Sequence, residues 1–151
     1  MNFKNTCTTV LLMFIAASIV VLVVKSLRQG EPATTADDHF DGLIVYYFHR
    51  KARCPACRNI EVYSHEAVIK GFPVEVGDGQ IEWRVVDFEL PENQYFAKEY
   101  ELIAPSVVLV EMRGGVRKRW KNLPEVWELV GDKPAFVLFV QKEIQAFLNA
   151  K

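Results

Sequence analysis

The chain has 151 residues, of which 50% are hydrophobic and 12% aromatic, and its formal net charge is -1. That is enough for one ordinary domain with its own core, and it excludes wholesale disorder. The charge balance carries no basic signature for nucleic acid, and three cysteines are too few for a disulfide-stapled scaffold.

The first segment is apolar. Cys7 to Val24 is an uncharged stretch of 18 residues, with Lys4 before it and Lys25 and Arg28 after it. As a helix it spans roughly 27 Å, near the thickness of a bilayer core. The competing reading is a cleaved signal peptide, in which a shorter apolar run is followed closely by a small-x-small site. Here the run ends in Val23-Val24-Lys25, and the nearest such site, Thr34-Thr35-Ala36, lies far downstream. Residues 1–28 are therefore expected to be an uncleaved membrane anchor, with residues 7–24 in the bilayer. Cys7 lacks a lipobox-like pattern before it and reads as an incidental residue of the helix end. The flanking bases nearly balance under the positive-inside rule. The extracytoplasmic, periplasmic side is preferred for the soluble part by functional analogy and not by charge.

Residues 29–41 are largely polar, with Gly30, Pro32, two Thr and, after them, Asp37, Asp38 and Asp41. They read as a flexible tether. From residue 37 onward, 115 residues carry 15 bases and 18 acids, a mildly acidic domain.

The domain proper, residues 42–151, begins with Leu43 to Phe48. This run is apolar, β-branched and aromatic without a break, which suits a strand buried on both faces. Pro55 to Lys70 is predicted as a helix, with Ile60, Tyr63, Ala67 and Val68 on one face and Gly71 at its end. Phe72 to Gln80 reads as a loop or a short hairpin. Trp83 to Phe88 is a second strand, and Pro91 to Tyr100 a second helix with proline in its first turn. Ser106 to Met112 is a third strand. Arg113-Gly114-Gly115 makes a hairpin turn into a fourth strand, Val116 to Lys121. Leu123 to Val130 is a short helix. After Gly131 to Pro134 a last helix carries Phe136, Val140, Ile144, Phe147 and Leu148 as one apolar stripe. The order is β-α-β-α-β-β-α, an α/β plan with helices on both faces of a small sheet. Trp83, Trp120 and Trp127 read as core or edge aromatics. Arg117-Lys118-Arg119 reads as a solvated strand edge.

The chemistry is concentrated in Cys54-Pro55-Ala56-Cys57. Two cysteines at this spacing and at a helix start close a disulfide across one turn. Cys54 lies at the helix N-terminus, where free N–H groups and the helix dipole stabilise its thiolate. Cys57 lies a turn further in. Cys54 is thus the attacking thiol and Cys57 the resolving one. Arg50, Lys51 and Arg53 precede the pair and Arg58 follows it. Arg53 and Arg58 flank it directly and favour the thiolate. Three other readings of the pair are weaker. A zinc site needs four ligands, and no second C-x-x-C exists; His39, His49 and His65 fit no standard knuckle. Haem attachment needs His after the second Cys, and residue 58 is Arg. A purely structural bridge across so small a loop stabilises little.

The setting of the motif adds to this. Phe48 ends the first strand, and Cys54-Pro-Ala-Cys57 opens a helix. Val86-Asp87 lies in the next strand, followed by Pro91 to Leu102 with Ala97 and Tyr100. Pro105-Ser106 precedes a hydrophobic strand, and Gly114-Gly115 sits in the hairpin. Over about residues 40–150 the pattern resembles the thioredoxin-like family. The resemblance implies a thioredoxin-like fold, a small mixed four-stranded sheet flanked by helices and preceded here by one transmembrane helix. It implies Cys54 and Cys57 as catalytic residues and Pro105 as a cis proline beside them. Backbone next to Pro105, including Ala104, would pair with the substrate chain. It implies protein thiols or disulfides, or a dedicated redox partner, as what the domain acts on, with no cofactor and no metal. The chain departs from the family in several places. Arg53 stands where a tryptophan usually precedes the motif, and Ala104 replaces a larger residue. Tyr46 and Tyr47 occupy the region of the buried strand aspartate that accepts the resolving thiol's proton. Glu61, one turn after Cys57, is either a substitute for that aspartate or an exposed helix glutamate. With Arg53 and Arg58 at the pair, a potential less reducing than that of a cytosolic thioredoxin is expected. Two other functions use the same residues: a thioredoxin-like carrier of Cu(I), which suits soft sulfur ligands, and a non-catalytic scaffold.

Overall fold

The structure is a computed structural model and describes residues 40–150. The expected membrane anchor and the tether as far as residue 39 lie outside the described residues. Among the described residues no helix is long and apolar enough to cross a membrane.

Four strands form one sheet in the order β2-β1-β3-β4, with β1 at Gly42–His49, β2 at Ile81–Asp87, β3 at Ser106–Arg113 and β4 at Val116–Asn122. β1 runs parallel to β2 and antiparallel to β3, and β3 is antiparallel to β4. Six consecutive residues of β1, Leu43 to Phe48, are buried, because β1 is central and helices cover both faces. Alternation then sorts its side chains. Leu43, Val45 and Tyr47 join one apolar cluster; Ile44, Tyr46 and Phe48 join the other.

The first face is covered by two long helices, α1 at Pro55–Gly71 and α5 at Lys133–Asn149. Ile60, Ala67 and Val68 of α1 meet Phe136, Val140 and Ile144 of α5 in one core. Tyr63 packs edge-on against Phe136 with ring centroids 5.5 Å apart. Phe147 and Leu148 complete the predicted stripe at the partly buried margin. Two short helices, α2 at Pro73–Gly77 and α4 at Val126–Leu129, close the ends of this layer. The second face is thinner. It carries a single 3-10 turn, Pro91–Asn93, and a five-residue helix, α3 at Tyr95–Glu99. Here the core is aromatic: Tyr46, Phe48, Phe96 and Tyr100 have ring centroids 5.0 to 6.3 Å apart.

This is the mixed four-stranded sheet with helices on both faces that the thioredoxin-like resemblance implies. Two expectations change. Phe72 to Gln80 is helical in part, since Pro73 supplies the fixed φ of a first helical position. The expected second helix is broken at Gln94 into a 3-10 turn and α3. The strand edge also differs from a purely solvated one. Arg117 pairs with Glu99, and Arg119 pairs with Glu111 while donating to the Phe147 carbonyl. At the hairpin, Gly114 and Gly115 both take positive φ, 60° and 70°, as a tight right-twisted connection requires.

Candidate functional site

Cys54 and Cys57 are bonded to one another, with their Cα atoms 5.0 Å apart. Cys54 is the N-cap of α1, in extended conformation with φ -73° and ψ 164°. Its Sγ accepts a hydrogen bond from the Cys57 N–H at 3.0 Å. Pro55 at the next position has no N–H to offer, so the Cys57 amide is the donor that reaches the sulfur. A negative charge on Sγ would thus meet a preformed N–H donor and the positive end of a 17-residue helix. Cys54 is exposed, whereas Cys57 is 5% exposed. One residue of the bonded pair is open to solvent and the other is screened from it.

Below the pair lies a residue whose role the sequence did not reveal. β1 alternation turns Tyr47 toward α1, and its hydroxyl donates to the Cys57 carbonyl at 2.6 Å, fully buried. Burial pushes the Tyr47 phenol up to about 12, with the Glu61 charge adding to the rise and Arg53 opposing it. It is therefore a neutral donor at physiological pH. The carbonyl it holds is the one that regular helix geometry pairs with the Glu61 N–H. Tyr47 thus pins the main chain of the resolving cysteine to the central strand. A buried tyrosine at a strand end requires a hydroxyl partner, which was the available signal.

The flanking bases are not equivalent. Arg53 forms a half-buried ion pair with Glu61. The pair ties the residue before the nucleophile to the helix turn after Cys57, and it cancels part of the field expected from Arg53. Glu61 is therefore neither a free exposed glutamate nor a group held by the sulfurs. Arg50 donates from Nη2 to the Ile103 carbonyl at 2.9 Å, lies 3.8 Å from Glu89, and sits 5.5 Å from the Phe88 ring centroid. The Lys51 N–H donates to Glu89 Oε2 at 3.0 Å. Arg58 and the Lys51 ammonium are exposed and form no ion pair among the described residues.

The β1–β3 register pairs Phe48 with Ser106. Pro105 therefore lies at the sheet end from which the Cys54 loop departs. Every peptide bond among the described residues is trans, Ala104–Pro105 included. The cis proline implied by the resemblance is not observed. Trans is the lower state of an X–Pro bond by about 0.5 to 1 kcal/mol. Here the Pro105 carbonyl is taken by the Trp127 indole N–H at 2.8 Å. The rest of this loop is also fixed. The Leu102 N–H donates to the Ala97 carbonyl at 2.8 Å, Asn122 Nδ2 donates to the Tyr100 carbonyl at 3.2 Å, and the Ser106 hydroxyl meets Asn122 Oδ1. Ala104 is half-buried, Pro105 is buried, and Ile103 stands out at 90% exposure. Trp127 and Asn122, which hold this loop together with Arg50, were not legible as site residues, because they act on backbone carbonyls and on Ser106 across distant segments.

No group of three or more His, Cys, Asp or Glu that could hold a metal ion exists among the described residues.

No family model matches the chain, and no curated protein matches it. Solved structures do. A thioredoxin from Thermus thermophilus is 18% identical over 68% of this chain and 73% of its own, with a TM-score of 0.46. Fasciola hepatica thioredoxin is 22% identical over 67% of this chain and 80% of its own, with a TM-score of 0.38. The Trx4 domain of ERdj5 is 15% identical over 70% and 82%, with a TM-score of 0.46.

Proposed function

We propose that this chain is a membrane-tethered thiol–disulfide oxidoreductase that exchanges disulfides with protein partners through Cys54 and Cys57. The observation that carries this reading is the bonded pair at the start of α1, with Cys54 exposed at the cap and Cys57 buried behind it. In the reducing direction the Cys54 thiolate attacks one sulfur of a partner disulfide. That S–S bond breaks, the departing partner sulfur takes a proton, and a mixed disulfide to Cys54 remains. Cys57 then loses its proton and attacks Cys54 Sγ. The second partner sulfur leaves as a thiol, and the Cys54–Cys57 disulfide closes. Two electrons pass to the partner. The oxidising direction is the reverse.

The cap hydrogen bond from Cys57 N–H, the helix dipole and exposed Arg58 all favour the Cys54 thiolate. Stabilising the thiolate stabilises the reduced form and raises the potential. The couple is therefore expected above the roughly -270 mV of thioredoxin, with Arg53 contributing less than its position implies because Glu61 faces it. Ala104 and Pro105 are read as substrate-facing backbone, supported by their place at the same sheet end. The tether reading rests on the uncharged run from Cys7 to Val24. A periplasmic placement of the domain is part of the same proposal, and a reporter fused at residue 151 tests it.

The competing reading is a Cu(I) carrier. It is weaker because no third His, Cys, Asp or Glu joins the two sulfurs among the described residues. The test is insulin disulfide reduction by the full chain in detergent micelles with a small dithiol as electron source. Turnover that is lost in Cys54→Ser supports exchange. Stoichiometric Cu(I) binding without any turnover would overturn it.

A further inference from the structure

The nine residues from Arg50 to Arg58 contain four bases and no acid, while residues 40–150 as a whole carry 14 bases and 16 acids. The positive charge at the dithiol thus runs against the sign of the domain. Sorting the four bases by what they touch shows which are available. Arg53 is committed to Glu61, and Arg50 is committed to the Ile103 carbonyl and to the neighbourhood of Glu89. The two acids that pair with these bases are Glu61, on Arg53, and Glu89, on Arg50 and the Lys51 N–H. The Lys51 ammonium and the Arg58 guanidinium are left, one on each side of Cys54 in the chain, both exposed and neither ion-paired among the described residues. Beside them the Pro105 loop offers Ile103, 90% exposed and tied to the Cys54 loop through Arg50.

We propose that the rim of the dithiol selects partners whose reacting cysteine is flanked by acidic side chains. This rests on the dithiol-exchange reading above. Two exposed cations within four residues of one exposed cysteine favour a carboxylate-bearing chain at contact and disfavour a basic one. The preference acts on encounter and orientation, so it is expected in the second-order rate and in its salt dependence. Two like or unlike charge pairs roughly 7 Å apart in water change a rate by several-fold each way.

The experiment uses three disulfide-linked peptides of equal length. Their cysteines are flanked by glutamate in one, glutamine in the second and lysine in the third. Each is mixed with the reduced full-length protein in detergent micelles, and the rate of peptide reduction is followed. At about 20 mM salt, where the screening length is roughly 20 Å, the acidic peptide is expected to react about tenfold faster than the basic one, with the neutral peptide between. At about 0.5 M salt, where it is roughly 4 Å, the ratio is expected to fall toward one. Lys51→Gln with Arg58→Gln is expected to abolish the ratio at low salt. The ratio, unlike an absolute rate, is indifferent to any change these substitutions make in the Cys54 thiolate itself. Equal rates for the three peptides at low salt, or a ratio that survives the double substitution, would overturn the selectivity while leaving exchange intact. No reduction of any peptide would overturn exchange and selectivity together.

Discussion

The two faces of the sheet are built differently, and the cysteine pair lies on the side of the long helices. One face is covered by two 17-residue helices, α1 and α5, packed through aliphatic and aromatic side chains. The other is covered by a 3-10 turn and the five-residue α3, and its core sets a cluster of rings among aliphatic side chains such as Ile44, Val108 and Val110. A helix as short as α3 is not stable by itself, so the rings hold it. A long helix anchored along its length can present a fixed N-terminus with a dipole, and that is where Cys54 sits. Adjacent tyrosines of β1 mark the divide: Tyr46 belongs to the ring cluster, while Tyr47 reaches the Cys57 carbonyl on the other face. Packing of the ring cluster and the proposed redox chemistry at the dithiol are therefore expected to be separable by substitution.

The largest effect is expected from Phe96→Ala, which empties the centre of the ring cluster. Phe96 is 7% exposed and packs on Tyr46, Phe48 and Tyr100. Loss of a buried phenylalanine side chain costs about 3 to 4 kcal/mol. Thermal unfolding measures it, and the Cys54/Cys57 reduction potential should stay unchanged. Tyr47→Phe should do the reverse in kind. It removes one buried hydroxyl donor, a loss of about 1 kcal/mol, but it frees the main chain of Cys57 and shifts the potential. A potential that moves with Phe96→Ala and not with Tyr47→Phe would erase the contrast.

The smallest effect concerns acid. Burial works to raise the Glu111 carboxyl, but the Arg119 and Arg113 guanidiniums outweigh it and hold the group below its ordinary 4.5. A depressed folded pKa gives stability that is present above the unfolded value and is lost as pH falls through the folded one. Glu111→Gln should therefore cost about 0.5 kcal/mol at neutral pH, since solvent screens the exposed Arg113, and it should flatten the loss of stability below about pH 4.5. An acid limb unchanged in the variant would remove Glu111 from the account.

Much of this plan was legible because it depends on period and punctuation. The unbroken run Leu43 to Phe48 announced a strand buried on two faces, and it is one. Pro55 after Cys54 announced a helix start, and Cys54 is its cap. The apolar stripe of α5 follows from three- and four-residue spacing. What was not legible depends on partners far apart in the chain. Nothing local in Arg53 shows that Glu61 will take its charge. Nothing in Trp127 shows that its indole will reach Pro105, 22 residues away. The cis form of Pro105 was carried by resemblance alone, and the loop takes the trans form with its carbonyl held by that indole. The helix expected over Pro91 to Tyr100 is broken at Gln94, and its ring contacts to Tyr46 and Phe48 are made by Phe96 of α3 and by Tyr100 just after it.

The central claim is that Cys54 is the sulfur that meets the partner and Cys57 the one that releases it. The most direct measurement is trapping of a mixed disulfide by the full-length Cys57→Ser protein with oxidised insulin, followed by mass mapping of the adduct. A stoichiometric adduct on Cys54, absent from Cys54→Ser, is the result this account predicts. An adduct on Cys57 in Cys54→Ser at an equal rate, or no adduct in either variant, would contradict it.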